Sequence, residues 1–173
     1  MDDVAARLGI TKGSLYHYVA TKEELLIETV VLPYRQAVEH LHGLLRGEQP
    51  VDVVLTEVVR RHLRNVADHY PAISVYVEQG RWLPIPESIR VLDRQYVAGV
   101  RRLVLKGMRD GQLQVADPTT TAGALLGMCN WFAVHYDPDD TRDVDDVAEE
   151  FARILLEGAR RTDRPEGSAT PMT

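Results

Sequence analysis

Seven residues near the start of this chain carry groups suited to gripping phosphate: Thr11, Lys12, Gly13, Ser14, Tyr16, His17 and Lys22. Lys12 and Lys22 supply positive charge, Thr11 and Ser14 supply hydroxyls, and Tyr16 and His17 can each donate to a phosphate oxygen. A helix that begins near Lys12 adds unpaired backbone N–H groups aimed at the same anion. Gly13 costs about 1 kcal/mol inside a helix relative to alanine. Close approach to a nucleic-acid backbone is a reason to keep it.

Such side chains work only if short helices hold them in place. Val4, Ala5 and Leu8 stand at i, i+1 and i+4, one face of a helix over Met1 to Leu8. Gly9 is a stop signal, and Thr11 is an N-cap for a second helix running to about Val19. Leu15 and Val19, four apart, face the first helix, which leaves Lys12, Gly13, Ser14, Tyr16 and His17 outward. Thr21 with Glu24 forms a capping box that opens a third helix at Lys22. Two short helices around a tight, glycine-bearing turn are the mechanical plan of helix-turn-helix DNA readers.

The run Gly9-Ile10-Thr11-Lys12-Gly13-Ser14-Leu15-Tyr16-His17-Tyr18, then Thr21-Lys22-Glu23-Glu24-Leu25-Leu26, resembles the signature of the TetR family. That resemblance implies a homodimeric, usually repressing regulator with an all-helical C-terminal domain that binds a small inducer. It also places the seven residues above against double-stranded operator DNA. Two departures stand out. Val19 occupies the position where the family usually carries phenylalanine, and the family's first helix has no counterpart ahead of Met1. A truncated helix-turn-helix module over residues 1–26 is therefore expected, with DNA binding tied to the presence of that first helix. The alternative is a ligand-binding and dimerisation module that does not bind DNA in this form.

Beyond residue 26 the periodicity is helical throughout, and the expected fold is all-α. A helical ligand-binding and dimerisation domain is expected over residues 27–161 and a disordered tail over 162–173. Pro33 marks a boundary or kink between the third helix and a segment from Tyr34 to Leu45. Amphipathic helices follow over Val51 to Tyr70, Pro71 to about Leu83, Pro86 to about Arg109 and Asp143 to Arg161. Leu83-Pro84-Ile85-Pro86 must be extended or turned. Asp117-Pro118 caps a helix to His135 that is apolar nearly all round, which suggests the buried centre of its domain.

The stretch from Leu126 to Pro138, with the acidic loop and last helix after it, resembles the ligand domain of TetR-type regulators of lipid and steroid breakdown, some of which respond to acyl-CoA thioesters. Met128, Cys129, Trp131 and Phe132 could line an apolar cavity and Asn130 could offer a polar contact; all five could equally be core. The resemblance implies a small apolar effector as partner, with an acyl-CoA among the candidates. For the homodimer, Tyr96, Val100, Leu103, Ala148, Phe151 and Leu155 form stripes at three- and four-residue steps, with Gly99, Ala148, Ala152 and Gly158 letting helices approach closely. The competing reading is that these stripes complete the monomer's own core.

Other chemistries find little support. The net charge of −6 does not advertise nucleic-acid binding, so that inference rests on local pattern. One cysteine excludes an intramolecular disulfide and a thiolate-rich zinc site. His40, His42, His62 and His69 lack the i, i+4 pairing that grips zinc, so no metal is expected. Arg81, Arg90, Arg94, Arg101 and Arg102 could meet the phosphates of coenzyme A, but such a series is more commonly a solvated face. No nucleophile context or glycine-rich phosphate loop is present, so neither an enzyme nor a cofactor is expected. No export signal or membrane span is evident, and a cytoplasmic location is the simplest.

Overall fold

The computed structural model describes residues 1–79 and 85–159. These form eight helices: α1 (Asp2–Leu8), α2 (Lys12–Tyr16), α3 (Lys22–Leu45), α4 (Val51–Asp68), α5 (Tyr70–Gln79), α6 (Glu87–Arg109), α7 (Pro118–His135) and α8 (Val144–Ala159). Leu83-Pro84, Arg81 and the tail expected over 162–173 lie outside the described residues.

The helix ends follow the side chains that cap them. Gly9 takes a left-handed conformation at φ 67°, and its N–H and that of Ile10 close the last turn of α1 on Ala6 and Ala5. The Thr11 hydroxyl accepts from the Ser14 N–H at 3.1 Å, and the Thr21 hydroxyl from the Glu24 N–H at 3.0 Å. The Asp117 carboxylate accepts from both the N–H and the hydroxyl of Thr120, with Pro118 opening α7. Pro50 has no side-chain acceptor to offer α4, though its carbonyl accepts from the Val54 N–H at 3.1 Å. Gln112, distant in sequence, supplies one, its Oε1 accepting from the Val51 N–H at 3.0 Å.

Apolar side chains gather in two clusters. Ala5, Leu15 and Val19 are buried together, with Met1, Val4 and Leu25 packed against them. The large cluster draws on α3 to α8, and Ile27 is the first residue of α3 to join it. One helix thus belongs to both, with the change falling between Leu25 and Ile27.

Three expectations need correcting. Pro33 neither ends nor divides the third helix; α3 runs through it for 24 residues, with the proline ring buried. A proline here removes one backbone hydrogen bond, at about 3 kcal/mol in an isolated helix. Packing along α6 offsets that cost: Gly99 lets α6 approach so closely that a Cβ there would stand 2.6 Å from Leu41 Cδ2.

Second, the centre of the domain is α4, not α7. Val51, Val54, Leu55, Val58, Val59, Leu63 and Val66 are all buried, and α4 touches α3, α5, α6, α7 and α8. α7 lies at the flank. It buries Ala122, Leu125, Leu126, Cys129 and Phe132 but leaves Gly123, Gly127, Trp131 and Val134 exposed.

Third, Tyr96, Val100, Leu103 and Ala148 are inside the subunit, each at most 4% exposed, and cannot face a second copy. Gly99 packs on Leu41 of the same chain, and Ala148 and Ala152 are buried on α8, the helix laid along α4. Those small residues bring the chain's own helices together. Of the expected interface only Phe151 and Leu155 are part-exposed.

Candidate functional site

In the N-terminal module Leu15 is buried, 4% exposed, and turns the opposite side of α2 to solvent. Thr11, Lys12, Gly13, Tyr16 and His17 are exposed, Ser14 is half-buried, and Lys22 is exposed at the start of α3. All seven sequence-predicted residues therefore lie on or beside one short helix and the N-terminus of the next.

The module's polar groups are partly engaged already. The hydroxyls of Thr11 and Ser14 lie 2.9 Å apart, and Lys12 Nζ donates to Asp2 Oδ2 at 2.8 Å. The Lys12 hydrogen bond holds the Asp2 carboxyl below its ordinary range, and Asp2 in turn raises the lysine. Gly13 is open. A Cβ there would meet nothing nearer than the Thr11 hydroxyl at 3.8 Å, so the fold itself does not require glycine. Leu8 and Ile10 remain exposed at 61% and 37%, which leaves the small core thin.

The second candidate site is a cavity of about 190 Å3 among α3 to α7. Val30, Pro33, Tyr34 and Ala37 of α3 form one wall, His62, Asn65 and Val66 of α4 another, and Ile73, Tyr76, Tyr96, Asn130 and Ala133 complete it. The Tyr34 hydroxyl donates to Asp93 at 2.8 Å and so ties α3 to α6. Burial, then the Asp93 carboxylate, pushes the Tyr34 phenol up, and burial does the same to Tyr96. Burial pushes His62 down to about 4, so its imidazole is neutral at pH 7. The ring is surrounded by protein, and the accessibility it keeps is cavity surface.

Of the five residues expected at a ligand, only Asn130 lines this cavity. Cys129 and Phe132 are core, and burial pushes the Cys129 thiol up to about 12. Trp131 points outward, 55% exposed and stacked on His135 at 4.3 Å, and Met128 is half-buried away from the cavity. The physical reason is angular: on a helix packed on one side, five consecutive residues cannot share one lining. Sequence reading overlooked Tyr34, His62, Asn65, Tyr76 and the inward role of Tyr96. The available signal was His62 and Asn65, polar residues three apart flanking the apolar stripe of α4.

Arg90, Arg94, Arg101 and Arg102 are exposed along α6, bonded to its neighbours or to Glu87, Thr119 and His42. Among the described residues no group of three or more potential ligands is placed to hold a metal, and no helix is long and apolar enough to cross a membrane.

Comparison with known proteins agrees with both halves of this arrangement. Residues 1–29 match the model of bacterial regulatory proteins of the tetR family, and residues 48–159 match the tetracyclin repressor-like C-terminal domain. The chain belongs to the TetR family. That family is one of transcriptional regulators. A TetR relative, the HTH-type transcriptional repressor KstR2 of Rhodococcus jostii, is 26% identical over 167 residues, spanning 90% of this chain and 78% of the relative. The TetR-family regulator PfmR of Thermus thermophilus superposes with a TM-score of 0.79 at 25% identity, covering 92% of this chain and 88% of its own. AibR, solved with isovaleryl coenzyme A and operator DNA, shares the TetR fold at a TM-score of 0.69 and 20% identity, over 90% and 85% of the two chains.

Proposed function

We propose that this chain is a ligand-responsive transcriptional repressor, released from operator DNA when an apolar or acyl-CoA-like effector occupies the cavity among α3 to α7. One observation carries the reading: α3 is a single helix that begins at the N-terminal module and passes along the cavity at its middle. Leu25 packs on the module's core, and Val30, Pro33, Tyr34 and Ala37 line the cavity on the same helix. A molecule that changes the position of α3 at the cavity must change the module's position too. Effector binding shifts the equilibrium only by the difference in its affinity for the two positions. The repressor name of KstR2 and the isovaleryl coenzyme A held by AibR support the reading.

The working form we propose is a homodimer joined through α7 and α8. Gly123, Gly127, Trp131 and Val134 line the outer face of α7, and Val147, Phe151, Ile154, Leu155 and Gly158 follow the outer side of α8. Trp131 and Phe151 border one cleft, so the two faces adjoin. An apolar stripe exposed along two neighbouring helices is the self-complementary surface a two-fold axis pairs. A Cβ added at Gly123 or Gly127 would meet nothing within 4 Å, so both leave room for a facing helix.

A second reading, a ligand-binding and dimerisation module without DNA binding, is favoured by the exposure of Leu8 and Ile10 beside so small an N-terminal core. Fluorescence anisotropy with labelled promoter fragments from the chain's own locus separates the two. The repressor reading expects saturable, salt-dependent binding that a short acyl-CoA reverses. Binding that no effector reverses would leave a regulator of another kind, and absence of binding would favour the second reading.

A further inference from the structure

The cavity's lining says what kind of chemical group it accepts. No lysine, arginine, aspartate or glutamate lines it. A carboxylate or ammonium placed there would lose water without gaining an opposite charge among the lining residues, which disfavours it. Yet the cavity is not purely apolar. His62, Asn65 and Asn130 line it, and among the described residues none of these three side chains makes a hydrogen bond within the protein. Sealed polar atoms of that kind would be costly, but those of His62 and Asn65 are not sealed, since His40 Nε2 is the sealed, unpartnered atom among the described residues.

Three neutral groups, each able to donate, thus line a space walled otherwise by aliphatic and tyrosyl surface, His62 and Asn65 part-buried and Asn130 exposed. The space is small. A cavity of about 150 Å3 holds benzene, so 190 Å3 holds about eight heavy atoms by the same scale.

We propose that this cavity takes an uncharged, oxygen-bearing group of about eight heavy atoms, the acyl end of a short thioester, whose carbonyl is held by His62 with Asn65 and Asn130. This rests on the effector-cavity reading above and narrows it. A free carboxylic acid is rejected because it enters ionised, and a four-ring nucleus or long acyl chain is rejected because it does not fit. A coenzyme A thioester and a simple thioester present the same group, and differ only in what stays outside.

Isothermal titration calorimetry on the full chain, without DNA, tests this. The probes are hexanoyl-N-acetylcysteamine, its thioether analogue lacking the carbonyl, hexanoate, hexanoyl-CoA and palmitoyl-CoA. The expected order has the hexanoyl thioesters tightest, with the thioether roughly tenfold weaker, the worth of one well-made hydrogen bond, and hexanoate weaker still. His62→Leu should bring the thioester down to the thioether, and His62→Gln, which keeps a neutral donor, should restore the preference. Hexanoyl-CoA matching or exceeding the simple thioester supports the proposal and identifies the carrier; a CoA ester that fails to bind assigns the site to uncharged esters. The proposal is overturned if hexanoate or palmitoyl-CoA binds as tightly as the hexanoyl thioester, if His62→Leu leaves the thioester-to-thioether ratio unchanged, or if none of the short thioesters binds. Failure of the repressor reading shows separately, as DNA affinity that no bound ligand alters.

Discussion

Lys12 and Asp2 form an ion pair, Nζ to Oδ2 at 2.8 Å, that ties the start of α2 to the start of α1. The cation best placed to meet a phosphate is therefore already held by a carboxylate. Both side chains are well exposed, so water and salt compete for the pair and it contributes little to folding. Its weight would fall on the proposed DNA contact, where a phosphate oxygen has to displace Asp2.

The first prediction follows from that exchange. Lys12→Ala should weaken binding to all DNA sequences and flatten the salt dependence by about one counterion. Asp2→Asn should act in the opposite direction, tightening binding to every sequence, while neither change moves the melting temperature. Anisotropy titrations over a range of salt concentrations check both. Equal affinities and slopes across the three proteins would remove Lys12 from the interface.

Gly13 and Gly99 make a second, paired prediction. A methyl group at position 99 would collide with Leu41 Cδ2 at 2.6 Å, and Leu41 is itself 1% exposed with nowhere to move. Gly99→Ala should cost about 1–3 kcal/mol through overpacking. Position 13 is open, so Gly13→Ala should leave the fold as stable or slightly more so, by up to about 1 kcal/mol. If that glycine serves the DNA contact, the same variant should bind operator less well. Urea unfolding and anisotropy on both variants give the answer, and a Gly13→Ala protein with undiminished DNA affinity would refute the close approach.

The residues that gave the fold away act locally. Gly9, Thr11, Thr21 and Asp117 set helix ends through bonds to neighbours within a few positions, which a sequence displays directly. The exposure of the seven residues proposed to meet DNA was legible for the same reason, since one short helix carries most of them. The cavity was not. It is assembled from five helices, and whether His62 faces a void or a neighbour depends on how α3, α4 and α6 approach, which Gly99 and Leu41 decide together. The interface expectation went astray at Tyr96, Val100, Leu103 and Ala148 on a related ambiguity. An apolar stripe shows that a helix face is covered, not whether the cover comes from the same chain. α7 was the informative case: it is apolar nearly all round yet exposed on one side, and a lone subunit gains nothing from that.

The neutral state of His62 makes a pH prediction. Its folded value lies near 4, depressed from 6.5 by burial. Above pH 6.5 the imidazole is neutral in both folded and unfolded chains and has no effect. As pH falls below 6.5 the unfolded chain takes up the proton and the folded one does not, so stability declines until about pH 4 and then levels. Between pH 7 and pH 5 the loss should be about 2 kcal/mol. Urea denaturation of wild type and His62→Gln at the two pH values isolates it. The variant should lack this part of the decline, and equal declines would mean that the ring is solvated.

The last prediction concerns assembly. If the outer faces of α7 and α8 pair across a two-fold axis, the chain should scatter light as twice its 19.5 kDa mass at micromolar concentration. Trp131 and Ile154, 55% and 48% exposed in the subunit, make no demand on its core, so a charge at either should act on association alone. Trp131→Glu and Ile154→Glu are expected to yield folded monomers with unchanged helical content. Phe151→Glu and Leu155→Glu should also dissociate the dimer, but with some loss of stability, because both side chains pack partly against the subunit's own core. Tyr96→Phe serves as the contrast. That ring is enclosed by its own chain, 4% exposed, and losing the hydroxyl should leave the dimer intact. A monomer mass for the wild type well above micromolar concentration, or dimers that survive both outer-face glutamates, would rule out this interface.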